Sequence, residues 1–257
     1  MYNFIIGPCD TDSISACKSD MSEFTEEEQN TLLLELKSIS PEFMEWEPDG
    51  YYETCIVVRA KNYVLWDGKK KIIKGSAFKS SNKESALKEL MDAMVTAIIE
   101  YKTDTLVDIY HRYIHEALNV KDIKRWAMKK TIAESDLKCK GWTEEYILSK
   151  RLRKNETDVW DAIKHLDDLQ AGGKVYCYPT VLGSSVETKE YKNGKIKETV
   201  TQITGLKTID LWTGDENKDK LLERVYDTVS IFASMIDLSQ FIDYTKKKNK
   251  PLLEGLK

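Results

Sequence analysis

The sequence predicts an α+β chain, and three observations carry that reading. Short runs rich in β-branched and aromatic residues crowd the first third of the chain, separated by turn-forming Asp, Gly and Pro. Beyond them, apolar residues recur at the three-and-four spacing of helices. A polar alternating segment around Lys192-Asn193-Gly194-Lys195 then marks one small late hairpin. The expected architecture is a small antiparallel sheet with a covering helix, followed by a mostly helical domain that carries a β-hairpin.

Composition narrows the class. With 257 residues, 32% charged and 41% hydrophobic, the chain has enough material for one or two domains with a core. No apolar run approaches the roughly 20 residues that span a bilayer, so no membrane role is expected. The N-terminus lacks the basic-then-apolar order of a signal peptide. Five cysteines (9, 17, 55, 139 and 177) are scattered and odd in number. They read as reduced thiols of a cytoplasmic protein rather than disulfides or a zinc site. His111, His115 and His165 read as ordinary surface histidines. The net charge of −4 argues weakly against nucleic-acid binding, but its distribution matters more than its sum. Residues 20–53 hold eleven acidic side chains against one lysine, and residues 59–79 hold seven basic ones against Asp67 alone. Residues 121–154 hold eleven basic and five acidic side chains. Such alternation suits basic strips offered to a phosphate backbone with other faces kept acidic.

Taken in order, residues 2–6 and 13–17 flank the turn Asp10-Thr11-Asp12-Ser13 as a hairpin, with Pro8 expected on an unpaired edge or in the loop. Asp10 and Asp12 point the same way on a strand or converge across the turn, and either arrangement concentrates negative charge that Mg²⁺ relieves through oxygen ligands. Thr25 with Glu28 is a capping box that opens a helix; Leu32, Leu33, Leu36 and Ile39 form its stripe and Pro41 ends it. Residues 53–59, 62–66 and 70–73 read as strands, with Asp67-Gly68 as a hairpin turn. Ser81 with Glu84 is a second capping box, and a helix runs from there to about Tyr101. Another helix covers residues 105–118. Its Tyr110 and Tyr113 read as core rather than as base-stacking platforms. After the basic segment come helices at 143–153 and 157–169, glycines at 172–173, and a strand at 174–178 stopped by Pro179. The hairpin around Asn193-Gly194, a last helix at 217–236 and a lysine-rich tail at 246–248 complete the chain.

Asp10-Thr11-Asp12-Ser13 after an apolar strand resembles the carboxylate turn of the family B DNA polymerases, usually written Tyr-Gly-Asp-Thr-Asp-Ser; Pro8-Cys9 stands here in place of Tyr-Gly. Ala60-Lys61-Asn62-Tyr63 resembles the family's Lys-Lys-Arg-Tyr motif, matching at Lys61 and Tyr63. Lys74-Gly75 with Phe78-Lys79 resembles the Lys-Gly and basic segment that follows, especially in phage members. The later order of basic segment, helices, glycines and Val-Tyr-x-Tyr strand resembles the family's thumb.

The resemblance implies a partial palm over residues 1–103 and a DNA-gripping thumb over 104–257. It implies two-metal nucleotidyl transfer with Mg²⁺, in which Asp12 is a direct metal ligand and Asp10 a neighbouring carboxylate. Lys61, Tyr63, Lys74 and Lys79 would be DNA contacts. The substrates would be primer-template DNA and a dNTP. The family's first carboxylate motif, its nucleotide-binding helix and its proofreading exonuclease have no counterpart in this sequence. The remaining carboxylate is therefore expected from an N-terminal half carrying exonuclease, palm and fingers, as a separate chain or another segment, and the chain alone is expected to be inactive. Two other readings stay open: a non-catalytic duplex-DNA-binding module derived from such a polymerase, and an unrelated interaction protein in which Asp-Thr-Asp is an ordinary turn.

Overall fold

The computed structural model describes residues 4–10, 12–79, 83–149, 160–181, 185–192, 195–202 and 205–246. The chain divides into two compact units, 1–79 and 80–257.

In the first unit, β1 (Phe4–Asp10) and β2 (Ser13–Lys18) form an antiparallel ribbon in which Asp10 faces Ser13. Pro8 sits within β1, a strand of a two-stranded ribbon, at a position without a ladder partner, in keeping with the unpaired edge expected of it. The register jumps between Ile6 and Cys9, so Gly7 and Pro8 form a bulge. The ladder asks for no N–H at that point, and proline has none to give.

Helix α1 (Glu26–Ile39) starts at the predicted capping box. Thr25 Oγ1 accepts the Glu28 N–H at 3.2 Å, and Glu28 Oε2 accepts the Thr25 N–H at 2.9 Å. Three glutamates in its first turn and Lys37 in its last complement the helix dipole. Glu28 also binds Lys18 Nζ at 2.9 Å, and the Phe4 and Phe24 rings lie 5.6 Å apart, so the ribbon is tied to the helix entrance. Leu32, Leu33 and Leu36 are half-buried, and no residue of α1 is fully buried.

Strands β3 (Thr54–Arg59), β4 (Asn62–Trp66) and β5 (Lys71–Lys74) make a second antiparallel sheet with β4 in the middle. The central position explains why Asn62 through Leu65 are all buried. Between β4 and β5, Asp67 Oδ1 accepts the N–H groups of Lys69 and Lys70 at 2.8 and 2.6 Å. This local bonding is what favours aspartate in turns, and it holds the Asp67 carboxyl below its usual pKa. The short α2 (Ser76–Lys79) closes the unit.

The second unit is built on three helices that pack on one another, α3 (Ser85–Ile99), α4 (Leu106–Leu118) and the later Lys218–Ser230. Leu90, Met94, Tyr110, Ile114, Leu221 and Val225 are its centre, and Tyr110 donates its hydroxyl to the Ile242 carbonyl at 2.7 Å. Because α3 packs on α4, it belongs here, so the observed division falls at 79/80 and the sequence-based boundary at 103/104. Arg125 binds Glu89 and Glu116, both at 2.8–2.9 Å, linking α3 to α4. Of the second expected capping box, Ser81 lies outside the described residues. Glu84 makes no cap bond; it is buried and pairs with Arg224.

Strand β6 (Met128–Thr131) follows, then α5 (Glu134–Cys139), α6 (Glu144–Ser149) and α7 (Trp160–Ile163). The expected helix over 157–169 is helical among the described residues only across α7. After it the chain turns tightly, with Leu166 N–H donating to the Ile163 carbonyl at 3.0 Å. Strand β7 (Lys174–Pro179) comes next, then the polar hairpin β8 (Ser185–Lys192) and β9 (Lys195–Gln202). The tip of that hairpin, Asn193-Gly194, lies outside the described residues, as does the tail beyond Lys246. Strand β10 (Leu206–Thr208), which carries no sequence signal of its own, completes an antiparallel sheet ordered β10-β7-β6. The last helix, α8 (Lys218–Ser230), is capped by Asn217, whose Oδ1 accepts the Lys220 N–H at 3.1 Å. The mixed α+β class is as the sequence reads. No helix among the described residues is long and apolar enough to cross a membrane.

Candidate functional site

Asp10 ends β1 and Asp12 lies in the turn after it, both exposed. The bulge at Gly7-Pro8 is the last irregularity before this turn, and the ladder resumes at Cys9–Ile14 to set Asp10 against Ser13.

Lys61 comes from the β3–β4 turn. It adopts φ +59°, a left-handed conformation uncommon outside glycine. Two neighbours hold it there. Asn62 is only 6% exposed and donates its amide to the Ala60 carbonyl at 2.9 Å. Gly75, at φ +98°, lies so close beneath the turn that a Cβ would meet the Lys61 carbonyl oxygen at 2.3 Å and Asn62 Oδ1 at 2.4 Å. The turn thus has room only for glycine at position 75. From this base the Lys61 ammonium reaches Asp10, with Nζ 3.4 Å from Oδ1. Both side chains are well exposed, so the pair is worth about 0–1 kcal/mol and serves to place charge more than to stabilise. An ammonium has three N–H donors, so a lysine that meets a carboxylate with one keeps two for other acceptors.

Tyr63 is 8% exposed, and its phenol pKa is raised first by burial and then by the charge of Asp10. Lys74 is exposed and directly opposite Tyr63 in the β4–β5 ladder. Asp10, Lys61, Tyr63 and Lys74 thus gather in one region of the first unit. Lys79 closes α2, and its side chain lies outside what the structure describes. Arg59, Lys69 and Lys70 are exposed, so the basic strip read from the sequence faces solvent through much of its length.

Asn62 and Gly75 lie in the motifs read from the sequence, but their part in holding the Lys61 turn was not read there. An asparagine just after a turn and a glycine just after a strand were the available signals, but their meeting joins two hairpins.

For Mg²⁺, the exposed carboxylates of Asp10 and Asp12 are the right kind of donor. Among the described residues no group of three or more His, Cys, Asp or Glu is placed to hold a metal. The chain therefore fits the ion in donor chemistry, and a working site would draw further oxygens from elsewhere. No protein-family profile matches the chain, and no curated protein matches it.

Proposed function

We propose that this chain supplies the C-terminal palm and thumb of a DNA-directed DNA polymerase, acting with an N-terminal half that carries the first carboxylate and the nucleotide-binding helix. The observation that carries the reading is the Lys61–Asp10 contact. These residues were singled out separately, each for its likeness to a polymerase motif, and they meet across two hairpins. A carboxylate turn beside a lysine is the juxtaposition such an enzyme needs, because the chemistry must occur next to the gripped primer end.

In this mechanism, bound Mg²⁺ would stabilise charge on the attacking and leaving oxygens. The chain's own part is to present Asp12 and Asp10 as ligands and to orient the primer terminus. Lys61 would donate to the minor-groove acceptors that every correct base pair offers, whatever its sequence. Lys74 and the neighbouring lysines would hold phosphates.

The test is primer extension after co-expression with the complementing half. Asp12→Ala is expected to lower the steady-state rate by about a hundredfold or more, through loss of a metal ligand that stabilises transition-state charge. Wild-type extension by that variant would defeat the reading.

A second reading, a duplex-gripping module without chemistry, draws on Pro8-Cys9, which stand in place of the Tyr-Gly of active family members, and on the bulge at Gly7-Pro8. Under it, Asp12→Ala would leave duplex binding intact and no complementing half would restore extension.

A further inference from the structure

The second unit, whose basic segment is read above as gripping duplex through phosphates, also presents an exposed aromatic ring to which that reading gives no role. In the β10-β7-β6 sheet, residues directly opposite one another share a face. Met128 faces Cys177 and Lys130 faces Val175, and Met128, Val175 and Cys177 belong to the apolar cluster behind the sheet. The alternate positions therefore point outward: Lys129 opposite Tyr176, and Thr131 opposite Lys174. Tyr176 is 36% exposed, a large aromatic ring left on the open side of a strand. Lys124, exposed on the turn that precedes β6, sets its ammonium 5.8 Å from the centre of that ring. Asp122 lies two residues before it, but its carboxylate is turned into the backbone, accepting the Lys124 N–H at 2.9 Å.

Tyr176 is thus framed by Lys124, Lys129 and Lys174, and none of the three forms an ion pair among the described residues. The next outward tyrosine on the strand, Tyr178, is different. It is fully buried, donates its hydroxyl to Asp215 at 2.8 Å, and faces Lys207, which is itself paired with Asp215. The platform ends there and has room for a single stacked ring.

We propose that Tyr176 is a stacking platform for one unpaired base of single-stranded nucleic acid, with Lys124, Lys129 and Lys174 holding the flanking phosphates. Every base has a π-face, so such a site is tolerant of sequence, and lysines beside an aromatic are the usual way to track a single strand. Duplex offers no unstacked base, so it would meet only the lysines. The inference does not depend on the carboxylate turn, which lies in the other unit.

The experiment is fluorescence anisotropy with the whole chain, a labelled 20-mer of thymidine and, separately, a labelled blunt duplex of two annealed strands, without Mg²⁺ or nucleotide. Tyr176→Ala is expected to weaken binding of the thymidine 20-mer on the order of tenfold or more, and duplex binding by less than about twofold. Tyr176→Phe, which keeps the ring, should bind the 20-mer as wild type does. Circular dichroism melts of each variant check that the sheet is intact. Unchanged 20-mer affinity in Tyr176→Ala overturns the proposal. So does an equal loss for both probes, a loss in Tyr176→Phe matching that of the alanine variant, or a wild-type chain that ignores the 20-mer. Failure of primer extension, by contrast, would touch only the polymerase reading.

Discussion

The two units bury their apolar residues very differently. In the second, α3, α4 and α8 interlock so that Leu90, Met94, Tyr110, Ile114 and Val225 are wholly shielded. In the first, α1 buries nothing completely, and Leu34, Ile39 and Phe43 are 68%, 80% and 88% exposed. A two-stranded ribbon such as β1–β2 has little stability alone. The first unit, which carries the carboxylate turn, is therefore the less self-supporting of the two, and the second has the more enclosed core. Local stability differs in the same sense, since regions with few buried apolar contacts open most easily. Whatever binds the first unit in its folded form will stabilise it by mass action.

The largest effect that tests this contrast is a pair of matched truncations. Leu90→Ala should cost about 2–5 kcal/mol, because a fully enclosed side chain leaves a cavity. Leu34→Ala should stay within about 0.5 kcal/mol, as surface changes do. Chemical denaturation of both variants measures the difference, and similar losses would erase the distinction between the units.

A smaller effect probes a tightly packed spot in the first unit. Gly75→Ala forces a side chain into a left-handed backbone and against the Lys61 carbonyl, at a cost of about 1–3 kcal/mol. Its sharper signature is functional. It should weaken duplex binding about as much as Lys61→Ala does, because it moves the turn that aims the ammonium. Intact duplex affinity in Gly75→Ala would show that the turn does not aim Lys61.

The smallest effect is a pH dependence in the second unit. Burial pushes the Asp215 carboxyl up, but hydrogen bonds from Lys207, Tyr178 and the Thr213 N–H outweigh it and bring its pKa to about 2. A depressed carboxylate contributes stability that is complete above the unfolded pKa and is lost as pH falls through the folded one. The loop that covers Tyr178 should accordingly loosen between about pH 4 and about pH 2. Trp212, whose indole N–H binds Glu216 at 2.7 Å, reports on that loop by fluorescence. Asp215→Asn should flatten the titration, and a titration unchanged by that substitution would place the transition elsewhere.

Locally encoded features were legible in the sequence. The Thr25–Glu28 box, the Asp67-Gly68 turn and the apolar periodicity of α3 and α4 each depend on residues within a few positions of one another. Features that rest on distant partners were not. Glu84 looked like half of a capping box because Ser81 precedes it, yet its partner is Arg224, on a helix far along the chain. The pattern over 157–169 looked continuously helical, but beyond α7 tertiary packing wins: the chain turns between Ile163 and Leu166, and Leu169 packs against Ile132 and Ile163. At the site, Asp10 and Lys61 could each be named from a motif. Their meeting, and the glycine beneath it, exist only once two hairpins are placed side by side.

The bulge at Gly7-Pro8 has a further consequence, for solubility. A bare β-ribbon with Ile5, Ile6 and Ile14 exposed is the kind of edge on which identical chains stack into fibrils. Such stacking needs an unbroken row of backbone donors and acceptors in step from copy to copy. Pro8 removes one donor, and the extra residue throws the pleat out of phase midway along the strand. The ribbon can accept a short strand on either side of the break, but it cannot template a long run of its own copies.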